Sequence, residues 1–397
     1  MTYNFETIPD RSEVGSEKWE LMKLKNPNLP KGIVPFSVAD MEFEQQPELI
    51  KGLTEYLKQP IYGYTGPTDS YFEAVINWME RRHGFRPQKE WILQTAGIVP
   101  ALMQLVKKLT KPEEAILIME PVYYPFRLSG EKNHREVISS DLVRNQNHYE
   151  IDFEDFEKKA ALPQTRLCIL CSPHNPVGRI WTKEELLRIC DICLNNQVIL
   201  IADEIHFDLI LPGHTHISVG TLEEKYQMNT ILCTAPSKTF NLAGFQTSNL
   251  IIANPEFRKA LKPALGEYEM LHTLGYKACE IVYNQCEKWL DELLIVIDRN
   301  RQTVEHFMAK HFPQVTVFPL EGTYLLWMDF HALGMEYKEL EHFMETEAYL
   351  FLDEGYLFGK TGEGYERMNL ACPTSVIQKA LDRLWDAWNH KISLQLE

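Results

Sequence analysis

Lys238 sits in the stretch TAPSKTFNLAGFQTS (residues 234–248), directly after the apolar run TILCTAP and just before a glycine turn. An amine at the end of a buried strand loses solvation of its charged form, and a neighbouring cation lowers its pKa further. Such an amine is both a nucleophile and a base. Other apolar runs end in residues with chemistry to offer. LIADEIH closes on Asp203 and His206, CSPHNPVGR places Asn175 before a proline, and Ser237 precedes the lysine itself. TAGIVPAL puts Ala96, Gly97 and Ile98 at the start of a helical pattern, where free backbone N–H groups and the helix dipole favour a phosphate. Arg367, in YERMNLACP, is a cation entering a short apolar segment. Taken singly, each has an ordinary structural use: a loop lysine, a cap, a turn, a surface ion pair.

Together they meet the requirements of one chemistry, that of a covalent aldehyde cofactor of the pyridoxal kind. Such a cofactor needs a lysine amine for a Schiff base and an acid that keeps the pyridine nitrogen protonated, so that the ring accepts electrons. It also needs donors for its phosphate, an aromatic face against the ring and a cation for the substrate carboxylate. The chain offers a candidate for each.

The elements that must position these residues are legible in the hydrophobic pattern. EAILIME, RLCILCSP, QVILIADEIH, TILCTAPS and SNLIIANP are short apolar runs rich in β-branched residues and read as buried strands. Helical segments lie between them: SYFEAVINWMERRHG, ending at Gly84; GIVPALMQLVKKL; and Thr182–Leu194, opened by a capping box from Thr182 to Glu185. Alternation of this kind predicts an α/β fold whose mostly parallel sheet is covered on both faces, with ligands at the carboxyl ends of the strands. From about residue 286 the pattern changes to longer helices with a few strands such as TYLLWMDF, which predicts a second, smaller α/β layer. The expected division is an N-terminal arm that is part of the small domain (1–45), a large cofactor-binding domain (46–285) and a small C-terminal domain (286–397).

The bulk composition narrows the partners. A chain of 397 residues with 45% hydrophobic and 24% charged residues matches an ordinary globular protein. Its 40 basic against 56 acidic residues give a charge of −16, which argues against nucleic acid or an anionic membrane as main partner. No apolar run approaches the ~20 residues that span a bilayer. The polar, acid-containing start MTYNFETIPDRSEVGSEKW does not read as a targeting segment, so a cytoplasmic location is expected. Cys168, Cys171, Cys190 and Cys193 formally spell a C-x2-C-x18-C-x2-C zinc pattern. Their contexts are a buried strand, where positions three apart face opposite ways, and one side of an amphipathic helix. Core thiols in a reducing compartment, and no metal, are the expectation.

AGI, the aromatic of PVYYP, NPVG, DEIH, SK and the late arginine occur in an order that resembles the pyridoxal-phosphate aminotransferase family of fold type I (class I/II), across nearly the whole chain. FSVADMEF (36–43), IYGYTG (61–66), TAPSKTFNLAG, EGTYLLWMDF and RMNLACP are similar to its cystathionine β-lyase group, called MalY/PatB. The resemblance implies a role for each residue. Lys238 would hold pyridoxal 5'-phosphate and move the Cα proton. Asp203 would pair with the ring nitrogen, Asn175 would bond the ring oxygen, and Tyr123, rather than Tyr124, would stack on the ring. The amides of Gly97 and Ile98, with Ser237 and Thr234, would cradle the phosphate, and His206 would join the cofactor's surroundings. Tyr64 would reach the phosphate in the other subunit, making the active unit a homodimer. Arg367 would clamp the substrate carboxylate, with Ala39 and Asn175 beside it.

Three departures stand out. His206 replaces a tyrosine common in aminotransferases, Gln246 stands where an arginine often binds phosphate, and Ser37 stands where many relatives have tryptophan. The implied activity is α,β-elimination from L-cystathionine, with cysteine and cystine as further substrates, giving thiol, pyruvate and ammonia in sulfur amino-acid metabolism and methionine biosynthesis. The alternatives are an aminotransferase with the same cofactor and a lyase with an added protein-binding, regulatory role. The acid that assists thiolate departure stays open between Tyr64 and Lys238.

Overall fold

Seven short strands form the main sheet of the computed structural model, which describes residues 1–59, 61–265 and 271–396. In chain order they are β1 (Ile92–Thr95), β2 (Ala115–Ile118), β3 (Glu136–Ser139), β4 (Thr165–Cys171), β5 (Ile199–Asp203), β6 (Thr230–Thr234) and β7 (Ser248–Ile251). Their order across the sheet is β1-β7-β6-β5-β4-β2-β3. All neighbours run parallel except β7, which is antiparallel to both β1 and β6. The β-branched runs of β4, β5 and β6 explain the central position of these strands, since both of their faces are buried. Leu167, Ile169, Cys171, Ile199 and Ile201 pack into one apolar cluster, and Cys168, Leu170, Leu200 and Ala202 into the other. That two-residue alternation puts Cys168 and Cys171 on opposite faces.

Helix Ile98–Leu109 covers the first face through Ala101, Leu102, Leu105 and Val106. Helices Asp69–His83, Lys183–Asn195 and Thr273–Gln285 cover the second. The ends of these helices follow local chemistry. The Thr182 hydroxyl accepts from Glu185 N at 3.1 Å while the Glu185 carboxylate accepts from Thr182 N at 2.8 Å, the capping box the sequence predicts. Asp69–His83 starts on a Thr68 cap and stops at Gly84, whose φ of 65° suits a residue without Cβ.

A second sheet holds β8 (Thr316–Val317), β9 (Leu325–Asp329), β10 (Asp353–Glu354) and β11 (Tyr365–Asn369), antiparallel throughout in the order β8-β9-β11-β10. The long helices Glu287–His311 and Thr374–Leu396 belong to this part of the chain. The N-terminal segment joins it as well. Trp19, Met22, Ile33 and Val34 form a small cluster with Phe351, Phe36 N donates to Phe351 O at 2.8 Å, and Asn369 N donates to Phe36 O at 2.9 Å. Among the described residues no helix is long and apolar enough to cross a membrane.

The main sheet concentrates polar groups along one edge. β4, β5 and β6 run the same way and end at Cys171, Asp203 and Thr234. β1 ends there too, at Thr95, and the reversed β7 begins there at Ser248, directly opposite Thr95 in the ladder.

Candidate active site

Lys238 leaves β6 on the four-residue turn Pro236–Thr239. Its Nζ donates to Ala39 O at 2.8 Å, and the Tyr324 hydroxyl donates to the same carbonyl at 2.9 Å. What remains accessible of the side chain faces a cavity. Burial first, and the Arg367 cation second, lower its pKa to about 8 against the opposing pull of Asp40, Asp203 and Asp353.

Asp203, the last residue of β5, is only 3% exposed and lines the same cavity. Its Oδ1 accepts from Ile205 N at 3.1 Å, and Oδ2 has no hydrogen-bond partner among the described residues. Burial raises its carboxyl to about 7, with the Lys238 charge pulling the other way. His206 follows on the same loop. Its Nδ1 is buried without a partner, and burial together with the Lys238 and Arg367 cations drives its pKa down, which keeps the ring neutral. Cys171 faces Asp203 across the β4–β5 ladder and also lines the cavity. A thiol there helps keep the surroundings of Asp203 poorly solvating.

The opposite wall is the start of helix Ile98–Leu109. Gly97 holds φ 128°, a conformation that favours glycine, and the helix has no side-chain cap. Its first N–H groups are thus free for an anion. Ser237, Gln246 and Thr247 complete this end, and Lys238 is the one cation lining the cavity among the described residues.

Arg367, on β11, lies just behind the lining. Its Nη1 donates to Asn175 Oδ1 at 2.8 Å, while Nε (3.1 Å) and Nη2 donate to Asp353 Oδ2. Asp353 faces Arg367 in the β10–β11 ladder, and its Oδ1 accepts from the backbone of Val38, a residue at φ 56°. The guanidinium is thereby fixed in place beside the strained segment that carries Ala39. That segment is held from outside by the N-terminal arm. Lys18, 1% exposed, donates to Asp40 and Glu42, and Arg11 bonds the same two carboxylates.

The structure brings Ala39, Gly97, Ile98, Tyr123, Asn175, Asp203, His206, Ser237 and Lys238 into one cavity. Tyr124 is half exposed and outside it. Thr234, expected beside the phosphate, does not line this cavity. It is buried in the last position of β6, and its hydroxyl turns to Asn249 O at 3.5 Å. Tyr64 is also outside the cavity of its own chain, with its side chain 97% exposed. Sequence reasoning missed Asp353, Lys18, Arg11 and Cys171. Only Cys171 carried a signal, its position at the end of a strand that feeds the site.

An unpartnered carboxylate oxygen on a buried aspartate, an uncapped helix start and a poised amine in one cavity define a pyridoxal-phosphate site at the carboxyl edge of an α/β sheet. The chain belongs to the aminotransferase class I and II family, which it matches over residues 31–384. Among its relatives is the cystathionine β-lyase PatB of Bacillus subtilis, 36% identical over 96% of this chain and 98% of that protein. The crystal structure of cystalysin from Treponema denticola, which contains a pyridoxal 5'-phosphate cofactor, is 46% identical with a TM-score of 0.95, covering 98% of this chain and 100% of that one. The pyridoxal-phosphate-bound C–S lyase of Staphylococcus hominis with the inhibitor L-cycloserine is 31% identical, covers 98% of each chain and has a TM-score of 0.90. The cofactor of this protein is pyridoxal 5'-phosphate.

Proposed function

We infer that the protein is a carbon–sulfur β-lyase that cleaves L-cystathionine, and also cysteine and cystine, by α,β-elimination. The observation that carries this reading is the pairing of a partly buried amine of lowered pKa (Lys238) with a buried carboxyl (Asp203) in one cavity, on a chain whose near relatives are named C–S lyases. Bound pyridoxal phosphate supplies an electron-accepting ring for the pair left when the Cα–H bond breaks. Lys238 carries the cofactor and, once free, takes the Cα proton. Asp203, with Oδ2 unpartnered, would hold the proton on the ring nitrogen, and Asn175 and Tyr123 would hold the rest of the ring. The amides of Gly97 and Ile98, with Ser237, hold the phosphate without an arginine, since position 246 is glutamine. Arg367, fixed by Asp353, receives the substrate carboxylate and so sets which Cα bond faces Lys238. Thiolate then leaves Cβ, and the released enamine hydrolyses to pyruvate and ammonia. Cystathionine without any keto-acid acceptor should yield pyruvate and free thiol in equal amounts. Strict dependence on an acceptor would instead establish an aminotransferase.

The active unit in this proposal is a homodimer. Tyr64 is open to solvent next to the exposed apolar residues Ile61 and Tyr62, a surface that calls for a partner. Tyr64 of one subunit would reach the phosphate held by the other. Mixed refolding of Tyr64→Phe with Lys238→Ala should then recover partial activity absent from either variant alone, because each hybrid keeps one intact site; no recovery would assign Tyr64 to its own chain. We further propose a large domain of residues 46–285, with 286–397 and the arm 1–45 forming the smaller one. The junction at 285/286 falls between helices Thr273–Gln285 and Glu287–His311. The eight cysteines are free and buried, which supports a reducing, cytoplasmic setting.

A further inference from the structure

Behind the cavity lies a buried carboxylate that touches neither the cavity nor solvent. Asp208 stands on the loop that carries Asp203 and His206, and its side chain is fully enclosed. Three donors from two other elements converge on it. The Thr239 hydroxyl donates to Oδ2 at 2.7 Å, Trp78 Nε1 reaches Oδ1 at 3.1 Å and Oδ2 at 3.3 Å, and His83 Nε2 lies 2.8 Å from Oδ1. Thr239 is the residue after Lys238. Trp78 and His83 come from helix Asp69–His83 and are themselves locked by stacking, Trp78 on Tyr283 and His83 on Phe207. Phe240, next in the chain, packs against the edge of Trp78.

We propose that Asp208 is a positioning residue for the lyase reaction: through Thr239 it sets the placement of the Lys238 turn relative to the loop that bears Asp203. The inference rests on Lys238 as the cofactor lysine and deepens that reading. A pyridine ring is rigid, so the lysine at its aldehyde carbon and the acid at its nitrogen must be held at a fixed separation. Lys238 sits on the turn after β6, and Asp203 closes β5 where the loop bearing Asp208 begins. Beyond the strands themselves, the Thr239–Asp208 bond is a direct side-chain tie between those loops. It is anchored to a third element by Trp78 and His83, so the tie cannot drift with either loop. A misplacement of about 1 Å at such a site costs on the order of 10²-fold in rate.

Thr239→Val keeps the volume and removes only the donated hydrogen bond, leaving Trp78 and His83 on Asp208. In the holoenzyme its expected effects are a kcat about tenfold lower with KM nearly unchanged, and a displaced pH midpoint of the visible absorption band from the lysine–cofactor linkage. Thr239→Ser should restore both. Should Thr239→Val fail to fold, Asp208→Asn tests the same tie, because an amide cannot accept from all three donors at once. A folded variant whose band titrates as in wild type, with kcat unchanged, would overturn the proposal. A KM effect without a shift of the band would overturn it too. The band reports the linkage and not the reaction. A wild-type enzyme that shows the band but proves to be an aminotransferase therefore leaves this test standing, whereas a wild type with no band defeats both readings.

Discussion

Lys238→Ala is expected to abolish turnover, by about 10⁴-fold or more, since the variant loses both the cofactor's covalent tether and the proton carrier. The visible band of the cofactor-bound protein should vanish with it, and borohydride should no longer fix label in the peptide around position 238. A band of wild-type intensity in the variant would assign the tether to another lysine. A second consequence concerns the cofactor-free protein. The lysine is held near a pKa of about 8 when folded, against 10.5 when unfolded. Between those values the unfolded chain binds the proton more readily, so this group's contribution to stability rises with pH across that window, and its full cost is present below about pH 8. Lys238→Met keeps most of the packing and removes the titration. The stability difference between apo wild type and apo Lys238→Met should therefore shift in favour of wild type as pH is raised from 8 toward 10.5, as read from denaturant midpoints. A difference flat over that range would mean that the amine is solvated as in an unfolded chain.

Most of the frame that holds this lysine was legible in the sequence because it is local. β4, β5 and β6 are continuous apolar runs, and a run of that kind encodes its own burial. The capping box at Thr182 and the stop at Gly84 need only a few adjacent residues. The reversed direction of β7 was not legible, since SNLIIANP reads the same in either sense and only its pairing with β1 and β6 decides it. β1 itself, ILQT, is too short and too polar to announce a strand. The site divides in the same way. Residues at strand ends and helix starts could be nominated from position, and those nominations, Thr234 apart, converge on one cavity. Thr234 could not be separated from Ser237 by pattern, because whether a strand-end hydroxyl faces a cavity or a neighbouring carbonyl depends on where the strand stops. Asp353 and Lys18 act on groups 14 and 22 residues away in the chain, across turns that no local pattern fixes. Their carboxylate and ammonium look like ordinary surface charges until the fold places Arg367 and Asp40 beside them.

Asp203→Asn is expected to move activity and stability in opposite directions. The amide still accepts from Ile205 N but offers no charge to a ring nitrogen, so elimination should fall by about 10²-fold to 10³-fold, the usual consequence of removing one preorganised electrostatic partner. The cofactor-free protein should respond otherwise. Burial raises the Asp203 carboxyl from 3.8 to about 7, so between those values the folded chain keeps a proton that the unfolded chain has released. Stability from this group falls as pH rises through that interval, and above pH 7 the full cost, on the order of a few kcal/mol, is paid. Asparagine carries no such cost. Apo Asp203→Asn should match apo wild type near pH 4 and exceed it at pH 8, measured by urea midpoints at both values. The cost then has a use, because a poorly solvated carboxylate with one oxygen unpartnered is stabilised by the cationic ring that completes it, and cofactor binding should raise the melting temperature of wild type more than that of the variant. Equal gains for the two proteins at pH 8 would place the ring nitrogen away from Asp203 and remove the basis for its electron-accepting role.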